Sequence, residues 1–276
     1  MRSLALPEDD AGDRGSPKGL PYTMLTMRLP PLASIATSFR ANWRTKLALT
    51  VLLTGVFCVP YLTLQRVLVL PVRTLPFTAI DRAVDFNAHW VWVYQSVYVL
   101  LLLVPWMMTT RKELREYATG FIVLSMAGFI CFFFMPVRGP RPDSAITNPM
   151  FRFLTWYDRP LNCFPSLHVG LAVYTLLVAT RLFDEVLPRS LRDPALLLGW
   201  AWTALIAYAA LATKQHYAID LPAGALLACL CHWSTWHIAQ RSLAHAETPM
   251  GLSRTSVFNL VRNRGRGADA SFLSRN

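Results

Sequence analysis

The stretch TGFIVLSMAGFICFFFMPV, residues 119–137, runs through nineteen positions without an acidic or basic side chain. As a helix it would rise roughly 28 Å at about 1.5 Å per residue, close to the ~30 Å hydrocarbon layer of a bilayer. It therefore reads as a membrane-spanning helix, and the rest of the chain repeats the pattern. Apolar runs at 47–64, 90–108, 166–183, 195–213 and 220–239 bring the expected spans to six. The composition agrees: 54% of the 276 residues are hydrophobic and only 16% are charged, unlike a water-soluble domain. Lipid offers the backbone no hydrogen-bonding partner, so the expected fold is all-α, a polytopic six-helix transmembrane bundle.

Charge between the runs gives the orientation. Arg40, Arg44 and Lys46, then Arg111, Lys112 and Arg115, then Arg181, Arg189 and Arg192, then Arg241 fall on one face if the spans alternate. Basic loops mark the cytoplasmic side, so both termini are expected there, in a cytoplasmic membrane. The opposite face is not free of cations, since Arg66, Arg73, Arg82, Arg138, Arg141, Arg152, Arg159 and Lys214 lie on it. A net charge of +11 in a soluble chain would suggest nucleic acid; here it serves topology, and no nucleic acid is expected.

Residues 1–40 mix Pro, Gly and acidic residues without a period and are expected to be a flexible cytoplasmic tail. The membrane domain is expected over 41–241. A basic cytoplasmic tail follows over 242–276, where Arg254, Arg262, Arg264 and Arg266 would meet water or anionic lipid. The long connection 65–89 alternates Val, Leu and Pro, which suits a segment lying along the interface, with Asp81, Arg82, Asp85 and His89 solvated. Four of the five cysteines sit in apolar runs and Cys163 stands in a loop, a pattern with neither disulfide nor zinc spacing. His232 and His237 are five apart and point to different sides of a helix. Neither metal nor cofactor is expected.

Alternating spans bring three polar clusters to the face opposite the basic one. They are Arg138-Gly-Pro-Arg-Pro142, Phe164-Pro-Ser-Leu-His168 and Thr213-Lys-Gln-His-Tyr-Ala-Ile-Asp220. Taken singly, each has a plain reading: anchoring arginines, an interfacial histidine, a polar cap on a helix pair. Together they hold the groups that phosphoryl transfer needs. Arg138, Arg141 and Lys214 would bind non-bridging phosphate oxygens. His216 would attack phosphorus and form a phosphohistidine, and Asp220, four residues on, would share its face on a helix and hold one ring nitrogen. His168 would protonate the leaving oxygen, and Ser166 would cap backbone. Asp143 and Ser144 adjoin the first cluster. A site at a membrane face implies a phospholipid or lipid phosphate as substrate.

These motifs resemble those of the type 2 phosphatidic acid phosphatase superfamily, over roughly 119–239. Arg141-Pro142 matches the end of that family's Lys-x6-Arg-Pro motif, Pro165-Ser166-Leu167-His168 its Pro-Ser-Gly-His motif, and His216-x3-Asp220 the end of Ser-Arg-x5-His-x3-Asp. The resemblance implies a six-span, metal-independent enzyme with His216 as nucleophile, Asp220 as its partner and His168 as acid. Phe134 stands in place of the motif Lys, and Ala209 and Ala210 in place of Ser-Arg. Arg138 and Lys214 are expected to substitute. The forms Phe-Pro-Ser-Leu-His and His-Tyr-x-x-Asp are similar to the inositol phosphorylceramide synthase branch, an inositolphosphotransferase group that passes a phospho-headgroup to a lipid alcohol. Hydrolysis and transfer both follow from the residues. A non-catalytic lipid-binding or transporter-like protein that keeps the pocket also suits the missing ligands.

Overall fold

The structure, a computed structural model, describes residues 31–142 and 147–246. In chain order its elements are α1 (Pro31–Arg40), α2 (Trp43–Leu64), β1 (Arg73–Thr74), α3 (Ala79–Ala83) and a 3-10 turn (Ala88–Trp90). There follow α4 (Val91–Gln95), α5 (Val97–Met107), α6 (Arg111–Phe134), β2 (Val137–Arg138), α7 (Pro149–Tyr157), α8 (Leu167–Val186), α9 (Arg189–Ala212) and α10 (Asp220–Ala246). Helix dominates, as the apolar runs predict. Residues 31–40 are helical where the sequence suggests the end of a tail. Asp143, Ser144 and the C-terminal Arg254, Arg262, Arg264 and Arg266 lie outside the described residues.

Among the described residues, four segments are long and apolar enough to cross a membrane: Trp43–Leu64, Ala88–Met107, Arg111–Phe134 and Arg189–Ala212. They mark an integral membrane protein. Helices α8 and α10 occupy the other two expected stretches. Helix α8 is the hub, buried along most of its length and packed against α5, α6, α9 and α10. At its closest approach to α10, a Cβ on Gly224 would lie 2.1 Å from the Ser166 carbonyl oxygen, and one on Gly170 would lie 3.0 Å from the Gly224 carbonyl. Glycine at both positions lets the two backbones touch. Helix α2, by contrast, is peripheral, with Val51 66% and Val59 68% exposed.

Helix starts follow the local sequence. Thr110 and Glu113 form a capping box at α6, each side chain meeting the other's backbone N–H. Ser166 caps α8, its hydroxyl accepting from the Val169 amide. Asn148 and Pro149 start α7. Lys46, one of the expected cytoplasmic charges, is buried; its ammonium donates to the Ser38 carbonyl at 2.6 Å and the Trp106 carbonyl at 2.7 Å. It ties α1, α2 and α5 together at one end of the bundle. At the other end the parallel pair β1–β2 fastens the 65–78 connection beside the end of α6.

Candidate active site

The cleft forms where α8 and α10 begin. His216 lies in the 213–219 loop between α9 and α10, not on a helix as its spacing from Asp220 suggests. Lys214, with φ 52°, takes the backbone through the left-handed region and ends α9. A compact turn then restores the proximity. The Tyr217 amide donates to Asp220 Oδ2 at 2.7 Å, and the Asp220 amide donates to the Tyr217 carbonyl at 3.0 Å.

His216 is buried, with Nδ1 2.9 Å from the Cys163 carbonyl oxygen and 3.4 Å from Asp220 Oδ2. Both neighbours are acceptors, so they favour the proton on Nδ1 and leave the Nε2 lone pair available. Cys163, buried beside them, donates its thiol proton to Asp220 Oδ2 at 2.8 Å. Burial pushes that thiol's pKa well up and the Asp220 carboxylate adds to the shift, so the sulfur keeps its proton. Asp220 Oδ1 is buried without a partner among the described residues.

His168 is the second residue of α8. The Tyr94 ring stacks on it with centroids 4.0 Å apart, and the Tyr94 hydroxyl is 3.1 Å from Nδ1. Tyr98 meets it edge-on at 5.8 Å. Nε2 is buried without a hydrogen-bond partner among the described residues. The two imidazole centroids are 6.4 Å apart, and both rings line one cleft with Tyr61, Tyr98, Tyr157 and Asp158.

The three expected phosphate ligands take different positions. Arg141 is part-buried in a polar cluster. It pairs with Asp158 Oδ2 at 2.6 Å through Nη2, donates to the Asp158 carbonyl through Nη1, and reaches Gln215 Oε1 through Nε at 2.7 Å and through Nη2. Asp158 in turn accepts from Tyr61 at 3.0 Å and Gln65 at 2.5 Å. Arg138 is exposed on β2, beside Val137, which bridges to the cleft residue Asn162. Lys214 turns away from His168 and His216. Its ammonium donates to the Asp81 carbonyl at 2.7 Å and the Val84 carbonyl at 2.5 Å, where the last turn of α3 leaves carbonyls open. Ala209 and Ala210 pack with Val91, Tyr94, Phe151 and Leu154, and Phe134 is 64% exposed.

Asp81 corrects the expectation of a solvated loop. It is buried and accepts from the Thr78 amide at 2.8 Å, the Thr78 hydroxyl at 2.7 Å and the Ala218 amide at 2.7 Å. Burial alone would raise its pKa, but these hydrogen bonds and the Lys214 charge outweigh it and hold the carboxyl below the ordinary value. Asp81 and Lys214 thus fix the 213–220 loop from outside. The Thr78-x-x-Asp81 capping pattern is a signal for Asp81 in the sequence. Gln215 lies inside the quoted stretch, but nothing in the spacing distinguishes Cys163, Asp158 or Tyr94.

Cys163 Sγ, His216 Nδ1 and an Asp220 carboxylate oxygen lie within 4.8 Å of one another, the donor set among the described residues that could hold a metal ion. Metal binding there would require the thiol and the ring nitrogen to release the protons they now share with their neighbours.

The family model described as the PAP2 superfamily matches residues 62–234, which include every residue lining the cleft except Phe57 and Tyr61. No curated protein and no solved structure matches the chain.

Proposed function

As the chain belongs to the PAP2 superfamily, whose type of activity is that of a lipid phosphatase or phosphotransferase, we propose that it transfers a lipid phosphoryl group through a phosphohistidine on His216. The observation that carries this reading is the placement of His216, with Nδ1 against the Cys163 carbonyl and Asp220, in the same cleft as His168. In the first step the His216 Nε2 lone pair forms a bond to phosphorus and the bond to the leaving oxygen breaks. His168 takes a proton from the bound phosphate monoanion and gives it from Nε2 to that oxygen. In the second step water or an alcohol attacks the phosphohistidine, its proton passes to the now neutral His168, and the P–N bond breaks.

Arg141 is the phosphate ligand in this reading. An incoming phosphate exchanges with Asp158 on the guanidinium, and Tyr61 and Gln65 retain the displaced carboxylate. Arg138 adds positive charge near the rim. Lys214 supports the loop instead of touching phosphate. Helices α8 and α10 are the remaining two crossings of a six-span bundle, with both termini cytoplasmic and the cleft on the extracytoplasmic face of the cytoplasmic membrane. The substrate is a phospholipid or lipid phosphate. The acceptor is water in a phosphatase, or a lipid alcohol in a phosphotransferase of the inositol phosphorylceramide synthase type.

The test is to quench purified enzyme rapidly during turnover of a phosphate-labelled lipid and to map the label. Acid-labile label on His216, absent from His216→Ala, is expected. Free phosphate or a new labelled lipid on adding a lipid alcohol then identifies the acceptor. The engagement of Arg141 by Asp158 and Gln215 favours a second reading, a non-catalytic lipid-binding protein. Turnover absent across a broad panel of lipid phosphates, with binding intact, would establish that reading instead.

A further inference from the structure

A second cavity, of about 200 Å³, lies between α2, α5 and α6 and is almost wholly apolar. It extends from His168 to Lys46 and Trp106, and it shares Phe57, Tyr98 and His168 with the catalytic cleft. The two spaces are therefore neighbours along one path. The polar one ends on the histidines, and the apolar one continues down the bundle. On α2 the lining from Lys46 to Cys58 covers roughly 18 Å at about 1.5 Å per residue, over half the hydrocarbon layer.

We propose that this cavity receives one hydrocarbon chain of the lipid whose phosphate is processed at His216, and that its far end limits the chain length accepted. The inference rests on the proposed catalytic reading for what occupies the cleft. The occupant follows from the joining of the two spaces, because an amphiphile with its phosphate between the histidines places its tail where the apolar lining begins. Entry is sideways from the bilayer. Helix α2 packs chiefly on α6 and only sparsely on α5, and the lining residues Tyr98 and Leu102 are 42% and 43% exposed at the surface of the bundle.

A chain that leaves the bilayer for this cavity gains little from the hydrophobic effect, since lipid tails are as apolar as leucine. Selection therefore comes from fit. The far end is lined by groups that a chain cannot displace cheaply: the Lys46 ammonium, held by two carbonyls, and the Trp106 indole, whose N–H donates to Thr50 at 3.3 Å.

The experiment uses the full-length protein in lipid nanodiscs and a phosphatidic acid brominated near the end of one chain, a quencher of indole fluorescence. Trp106 emission, isolated by subtracting the Trp106→Phe variant, is expected to be quenched by this lipid. It should be quenched much less by one brominated beside the glycerol. In parallel, turnover of phosphatidic acids of increasing chain length is compared with Thr54→Phe, which fills the cavity near the cleft, and Leu49→Phe, which fills its far end. Thr54→Phe should lower kcat/KM for long chains by about tenfold, at the low end of misfit in an apolar pocket, and spare short ones. Leu49→Phe should affect only the longest.

Quenching without turnover upholds the cavity and removes the catalytic reading. Turnover without position-dependent quenching overturns the cavity alone. Equal loss across all chain lengths in both variants also overturns it, as does protection of Trp106 by a sterol but not by a phospholipid.

Discussion

His216 and His168 line one cleft, yet hydrogen-bonding groups surround the first and rings surround the second. Around His216 a carbonyl and a carboxylate take one ring nitrogen, and the whole loop is held by backbone amides and by Asp81 and Lys214. Around His168 two tyrosine rings close off the imidazole, and its far nitrogen has no partner among the described residues. A nucleophile needs a fixed tautomer and a free lone pair, which acceptors on its other nitrogen supply. Burial among rings disfavours a standing positive charge, so a proton donor placed there is charged only while the phosphate lies beside it. The same side chain is thus fitted for two roles by what touches it.

Leaving-group chemistry can break this contrast. With a lipid phosphate whose leaving group is an alkoxide, His216→Ala should lose at least about 10³-fold in kcat, since no intermediate can form. His168→Asn should lose roughly 10²- to 10⁴-fold. With a nitrophenyl phosphate, whose leaving group needs no proton, His168→Asn should recover most of its rate and His216→Ala none. Equal losses with both substrates would mean that the two histidines are not divided as described.

Lys214 sharpens the comparison from the loop side. If it supports the 213–220 segment and does not touch phosphate, Lys214→Met should leave KM within about twofold. It should lower the unfolding free energy by about 1.5–3 kcal/mol, the range for hydrogen bonds to a charged group. A rise in KM with unchanged stability would return Lys214 to the phosphate. The smallest effect concerns Asp81. Its folded pKa is depressed, so its contribution is present above the ordinary carboxylate value and fades as pH falls through the folded value. Thermal melts of the wild type should show a decline below about pH 4 that Asp81→Asn lacks.

The apolar runs made the helices legible, because a nineteen-residue stretch without charge has few alternatives. The convergence of three clusters was legible for the same reason, since alternating helices leave little freedom at their ends. What the spacing misjudged was local. His216 and Asp220 meet through a turn, because Lys214 takes a left-handed backbone and stops the helix. Lys214 itself was placed by charge alone, whereas carbonyls at the end of α3, far away in sequence, hold it. The partners of Arg141 were also out of reach, since Asp158 arrives from a separate loop through contacts with α2 that no periodicity encodes.

The contact of Gly170 with Gly224 has a consequence for how such a molecule can change. The span between the two histidines is set by backbone touching backbone, two residues after His168 and four after Asp220. No outward-facing side chain takes part in that measurement. The exposed positions of α2, α5 and α9 that line neither the cleft nor the apolar cavity can therefore be rewritten for a thicker bilayer or a partner protein, and the reacting groups keep their separation. Chemistry and habitat are specified by different parts of the chain, so each can drift without retuning the other.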